Sequence, residues 1–384
     1  MTPDAIELDF KDDYRQTKDL VGVPLVSGDV AELSAKAKAA IDAEHLLFPD
    51  ESTLISRVVT GLLGGHVVLA GPPGTGKTTL ARIVASVFDC SCRVETATAD
   101  WSTYDVIGGL QPKLVQQGAY QSETIAPWEG HVTRAVLKCA STVARNRDDP
   151  TNHPRQAHWL VIDEFNRAEI DRAIGGLYTV LGGGSGESLK LWYEQDAKKS
   201  EVWLPGRFRI IGTLNSVDTS YVYGFSQGLT RRFKYIYIGV PAEGQVGEEI
   251  ARAVTQAMGW LTATYPVDGD DAATVTRVET VTDKLAAVVK LVRYGAEGVP
   301  GWPVGTAQIV DVLREMVLRA RSHEDLGADL DLAVADLIVP QMMDLTATQL
   351  DRIEGAFTTG PHSDMKRTAA GLSQLREAQN TSFS

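Results

Sequence analysis

The chain has 384 residues, 43% hydrophobic and 23% charged, with a formal net charge of −13 and three cysteines. This balance excludes a collagenous or wholly disordered polypeptide, and at roughly 150 residues per domain the length allows about two to three domains. No apolar run reaches the eighteen or so residues of a membrane span, the acidic N-terminal segment has no apolar signal core, and three cysteines cannot build a disulfide framework. A reducing cytoplasm is the expected compartment. The negative charge argues against a general nucleic-acid-coating surface, which needs clustered Lys and Arg, but leaves room for a local basic patch or a DNA-reading partner.

Residues 1–45 are polar and charge-rich, with an Ala/Lys helical stretch from Leu33 to Ala43, and read as an arm carrying a helix. From 46 to 241 short apolar runs alternate with helical patterns. The runs are His66–Ala70, Arg93–Thr96, Trp159–Ile162, Arg209–Thr213 and Lys234–Ile238. Between them Leu80, Ile83, Val84 and Val87, and again Val132, Ala135, Val136 and Cys139, fall at i, i+3, i+4 and i+7 and line one helix face. The expected fold is α/β, a five-stranded parallel sheet sandwiched by helices. From 242 to 357 helical spacing takes over, with Val281, Leu285, Val288, Val289 and Val292 on one face and Ile309, Leu313, Met316 and Val317 on another. This predicts a small all-helical domain. Loops are expected at Ala144–Gln156 and Gly182–Ser188, where Pro, Asn, Asp and Gly cluster. Residues 358–384 read as a flexible tail, with at most a short helix over Leu372–Ala378.

Gly71-Pro72-Pro73-Gly74-Thr75-Gly76-Lys77-Thr78 fits G-x-x-x-x-G-K-[ST], directly after an apolar strand and directly before an amphipathic helix, with Thr79 following. Glycines let backbone N–H groups close around phosphate oxygens, the helix N-terminus adds its positive dipole end, Lys77 reaches the terminal phosphates and Thr78 offers a hydroxyl to Mg²⁺. A plain glycine turn is the bland alternative. Trp159-Leu160-Val161-Ile162-Asp163-Glu164 is an apolar strand ending in two acids. Asp163 is the natural metal partner, and Glu164 a candidate base for the attacking water; a solvated strand end or a helix cap would read the same. Arg209–Asn215 is a further apolar strand ending in an amide that can orient water against a terminal phosphate, or simply form a turn. Arg231 and Arg232, just before the fifth strand, suit either a salt-bridged face or a cation that stabilises transition-state charge in a neighbouring subunit.

Together these residues resemble the AAA+ NTPases. Asp163 lies 86 residues after Lys77, Asn215 52 after Asp163, and Arg231 16 after Asn215, in that family's order. The resemblance spans roughly residues 46–345. Within the superfamily, Asp163-Glu164-Phe165-Asn166-Arg167-Ala168 is similar to the D-E-x-N-R-A of the McrB and MoxR branches. Gly212-Thr213-Leu214-Asn215-Ser216-Val217-Asp218 resembles the McrB-type G-T-M-N-T-x-D, and Thr230-Arg231-Arg232-Phe233 the McrB-type R-R-F. Trp101–Gly109 sits where these proteins carry an insert facing a hexamer pore. MoxR-type lids carry an arginine in a short glycine-containing motif, whereas Gly305-Thr306-Ala307-Gln308 has none. The McrB motor carries a DNA-reading domain that some 45 N-terminal residues would not supply.

The resemblance implies a homo-oligomeric ring, usually a hexamer, with nucleotide between subunits and Arg231 or Arg232 donated in trans. It also implies Mg²⁺-dependent hydrolysis of ATP, the default, or GTP. The leading expectation is a motor working with a separately encoded effector such as a McrC-like nuclease subunit in defence against foreign DNA, nucleic acid being met through the partner or the ring pore. A MoxR-like remodelling chaperone and a nucleotide-sensing scaffold with little turnover are the alternatives.

Overall fold

The computed structural model describes residues 18–382 except 27, 118–119, 183–186, 197–198, 216–225, 266–270, 296–298 and 300. The chain forms two compact units, one of Met1–Ala39, Ser52–Gly71 and Lys77–Tyr237, the other of Ala40–Glu51, Pro72–Gly76 and Ile238–Ser384.

In chain order the elements up to Tyr237 are α1 (Val30–Ala43), α2 (Glu51–Gly64), β1 (His66–Gly71), α3 (Lys77–Val87), β2 (Cys90–Thr96), α4 (Thr103–Val106), β3 (Gly108–Gln117), β4 (Tyr120–Glu129) and α5 (His131–Asp148). There follow β5 (Ala157–Asp163), α6 (Ile170–Ile174), α7 (Tyr178–Leu181), β6 (Leu189–Lys190), β7 (Glu201–Val202), β8 (Ile210–Asn215), α8 (Gln227–Thr230) and β9 (Phe233–Tyr237). The five apolar runs all become strands of one parallel sheet, in the order β2-β5-β8-β1-β9. Val67, Val68 and Leu69 of β1 and Leu160, Val161 and Ile162 of β5 have no exposed surface. Helices cover both faces, so these strands read as continuous apolar runs rather than alternating ones. Register then sets the site: Gly71 pairs with Asn215, and Ile162 with Gly212. The ends of β1, β5 and β8 thus reach the carboxyl edge of the sheet together, where ligands of such sheets bind.

One local feature departs from expectation. α5 runs on to Asp148, so the loop begins at Asp149 rather than at Ala144; Arg145 and Arg147 in its last turn favour the helix dipole's negative end. Trp101–Gly109 opens α4 and leads into a hairpin in which β3 and β4 pair antiparallel along ten residues each.

The second unit contains α9 (Val246–Thr264), α10 (Asp271–Tyr294), α11 (Thr306–Arg319), α12 (Gly327–Leu337), α13 (Ala347–Thr358) and α14 (Lys366–Ser382). The predicted faces of α10 and α11 are buried in its core. The C-terminal segment, expected as a flexible tail, is instead a 17-residue helix. Asp331 on α12 accepts the Arg367 and Thr368 N–H groups at 2.9 Å each, so the cap of α14 comes from 36 and 37 residues upstream. Met365, Thr368 and Leu372 supply its buried side. Among the described residues no helix is long and apolar enough to cross a membrane.

Candidate active site

The first unit gathers Lys77, Thr78, Asp163, Glu164, Thr213 and Asn215 at the carboxyl edge of its sheet. Thr78, in the first turn of α3, donates its hydroxyl to Asp163 Oδ1 at 2.7 Å. The same oxygen accepts the Thr213 hydroxyl. Thr213 is one strand-face period before Asn215 and was not singled out from sequence, although period-two alternation along β8 puts both on one side. Lys77 donates Nζ to the Gly71 carbonyl at 3.0 Å. Its burial lowers its pKa to about 8, against the opposing pull of Glu164 and Asp163. Thr79, the next residue of α3, is half-buried.

Glu164 leaves β5 with φ of +56°, a left-handed conformation that costs a residue with a Cβ about 1–3 kcal/mol. Its neighbours hold it there. The Glu164 N–H donates to Thr213 Oγ1 at 3.3 Å, and Phe165 N–H to the Thr213 carbonyl at 2.7 Å. Its carboxylate receives Asn215 Nδ2 on Oε1 at 2.7 Å and Arg167 Nε on Oε2 at 3.1 Å. Buried Asn166 brackets the Asn215 backbone, accepting its N–H and donating to its carbonyl at 3.4 Å each. The D-E-F-N-R run is therefore one structural device around a single carboxylate. Ser216, Val217 and Asp218, which complete the resemblance after Asn215, lie outside the described residues.

In the second unit the glycine loop Pro72–Gly76 packs on the residues entering α11. Gly74 and Gly76 have φ of +75° and +79°, which side-chain-bearing residues rarely adopt. Thr75 Oγ1 closes the turn onto the Pro72 carbonyl at 2.9 Å. The Gly74 carbonyl accepts the Ala307 N–H at 3.0 Å, and Gly76 lies beside Phe48 and Leu46.

Arg231 and Arg232 are not brought to the acidic edge. Phe233 pairs with His66 at the start of β1, so the pair sits at the amino edge, about 17 Å from Gly71 at some 3.3 Å per strand residue. The two differ. Arg232 donates to the carbonyls of Gly228 (2.7 Å) and Tyr178, and lies over the Tyr178 ring at 5.1 Å. Arg231 is exposed, and its guanidinium has no partner among the described residues.

The five-stranded parallel sheet in the order β2-β5-β8-β1-β9, flanked by helices, matches the α/β fold of the AAA+ class. Residues 66–233 match the family model of the AAA domain, dynein-related subfamily. Short segments are similar to the Holliday junction branch migration complex subunit RuvB. The identity is 45% over 53 residues to the protein of Synechococcus sp. strain CC9311 and 47% over 53 residues to that of Borreliella burgdorferi. Each match covers 13% of this chain and 15% of the relative.

Proposed function

We propose that this chain is an oligomeric AAA+ motor that hydrolyses a nucleoside triphosphate with Mg²⁺. The observation that carries the reading is the meeting of Thr78 and Asp163 at 2.7 Å on the edge that also holds Glu164 and Asn215. Mg²⁺ is bound in such sites by one or two protein oxygens, with phosphates and water completing the octahedron. The Thr78 hydroxyl and the Asp163 carboxylate fit that role, and bound Mg²⁺ would neutralise charge developing on the phosphates. Lys77 exchanges the Gly71 carbonyl for phosphate oxygens, beside the N–H groups of Lys77 and Thr78 in the first turn of α3. Glu164 takes the proton of the attacking water, and Asn215, already on Glu164 Oε1, orients both.

The edge-to-edge separation within one chain favours Arg231 serving a neighbour's phosphates, while Arg232 is committed to its own fold. We propose a ring, hexameric by resemblance, in which Arg231 completes the adjacent site. ATP is the default substrate and GTP the alternative. The D-E-F-N-R-A and R-R-F resemblances favour a McrB-like motor driving a separately encoded McrC-like nuclease subunit in defence against foreign DNA. The partly similar RuvB proteins, named as subunits of a branch migration complex, are compatible with work on or beside DNA.

The test is to separate binding from chemistry. Lys77→Ala removes the cation that meets phosphate charge in the ground state and should abolish binding of both ATP and GTP, whereas Glu164→Gln should bind and fail to turn over. Nucleotide affinity that survives Lys77→Ala undiminished would sink the phosphate-loop reading.

A further inference from the structure

We propose that the contact between the glycine loop and the start of α11 is a positioning device for nucleotide, with Gly305 its key residue and a buried ion pair its lock. The inference rests on the loop being the phosphate site.

Gly305 is the N-cap of α11, with φ of −80° and ψ of 167°. Any residue can adopt that conformation, so conformational freedom does not explain a glycine here. Space does: a Cβ at 305 would fall 2.3 Å from the Pro73 carbonyl oxygen and 2.6 Å from the Gly74 carbonyl carbon. Only a bare α-carbon lets α11 approach the loop this closely.

The approach is enforced from both sides of Gly305. Glu249 on α9 and Arg293 on α10 form a two-pronged ion pair at 2.7 and 3.0 Å with no side-chain exposure on either partner. Arg293 Nε then donates to the Val304 carbonyl at 2.9 Å, and Thr306 Oγ1 donates to Glu249 Oε1 at 2.6 Å. The pair thus holds the residues immediately before and after Gly305. Stability alone does not call for it, since a buried pair is often matched or bettered by apolar side chains, and α11 already buries Ile309, Val312, Leu313 and Met316.

What the clamp fixes is the peptide between Gly74 and Thr75. The Ala307 N–H, one of the donors that a helix's first turn leaves unsatisfied, is spent on the Gly74 carbonyl. In a trans peptide the C=O and N–H point in opposite directions, so anchoring the Gly74 oxygen on α11 turns the Thr75 N–H away from α11. That N–H is a phosphate donor whose direction is set in advance by α9, α10 and α11.

The experiment compares the full chain with Gly305→Ala and Gly305→Ser, measuring ATP affinity with Mg²⁺, KM, kcat, and melting with and without nucleotide. Serine keeps good N-cap chemistry, so like behaviour of the two variants assigns the effect to the Cβ rather than to capping. The expected result is a rise of about tenfold or more in Kd and KM, the order for losing a hydrogen bond to a charged group. kcat should fall less than about threefold, and the nucleotide-induced rise in Tm should shrink. Thr306→Val, which keeps shape and loses the hydroxyl, should move KM the same way by less. Wild-type affinity in both Gly305 variants, or a Tm loss that is the same with and without nucleotide, overturns the proposal. A wild-type chain that binds no nucleotide fails the phosphate-site reading itself.

Discussion

Asn215 Nδ2 stands 2.7 Å from Glu164 Oε1, so the amide ending β8 donates to the carboxylate that follows β5. Arg167 occupies the other oxygen. The carboxylate is oriented before any ligand arrives, by an amide that the sheet register brings level and by an arginine three residues on in the same turn. Replacing Asn215 with Ala should leave nucleotide affinity within about threefold. Turnover should fall on the order of 10²-fold, the loss typical of one preorganised donor acting in the transition state. Single-turnover kinetics at saturating nucleotide check this, and an unaltered rate would remove Asn215 from the mechanism.

Thr213 shares Asp163 Oδ1 with Thr78. Thr213→Val keeps the shape, deletes both the donor to Asp163 Oδ1 and the acceptor of the Glu164 N–H, and frees a lone pair of the proposed metal oxygen. The Mg²⁺ concentration for half-maximal activity should rise by about tenfold, the scale of a lost outer-shell partner. A Mg²⁺ titration identical to wild type would make Thr213 a packing residue only.

Arg231 and Arg232 should separate cleanly. Arg232→Ala leaves the Tyr178 and Gly228 carbonyls without their donor and should lower stability by about 2 kcal/mol. Arg231→Ala should leave the melting temperature near wild type and reduce turnover by about 10³-fold, as loss of a charge-stabilising arginine in trans does. Mixed with Glu164→Gln subunits it should regain activity, because live pockets then meet intact arginines. No recovery in freely exchanging mixtures would argue against sharing.

Lys77 gives a pH signature. Burial lowers its pKa to about 8 without ligand, and bound phosphate raises it. Nucleotide binding should therefore take up a proton above about pH 8 and weaken by roughly tenfold per further unit. The stability sign is opposite to that of a paired lysine. The folded chain binds fewer protons than the unfolded one between about 8 and the ordinary 10.5, so the burial cost is present below 8 and relieved as pH rises through that window. Calorimetry at pH 8.5 in two buffers of different ionisation heat measures the uptake; observed heats that are the same in both buffers would contradict it.

Much of this was legible before the structure because both-face burial writes the five strands as unbroken apolar runs, and because the glycine loop and the two acids stand at strand ends. The β3–β4 hairpin was not legible. Its stability comes from cross-strand pairing while Leu114 and Ile125 remain 62% and 70% exposed, so no apolar periodicity marks it. α14 was misread from its Thr, Ser and Gly content, although Met365, Thr368 and Leu372 carry helical spacing; its cap, Asp331, is invisible in local sequence. The distinction between Arg231 and Arg232 needed the Tyr178 and Gly228 carbonyls, which only the fold brings near.

The most direct measurement is steady-state phosphate release with ATP and with GTP, plus and minus Mg²⁺, for the wild-type chain and Glu164→Gln at protein concentrations that favour assembly. The wild type should release phosphate in a Mg²⁺-dependent way with at least one of the two nucleotides, and Glu164→Gln should release none despite retained binding. Release that is equal in the two proteins, or a wild type that binds nucleotide as an assembled ring without hydrolysing it, would contradict this.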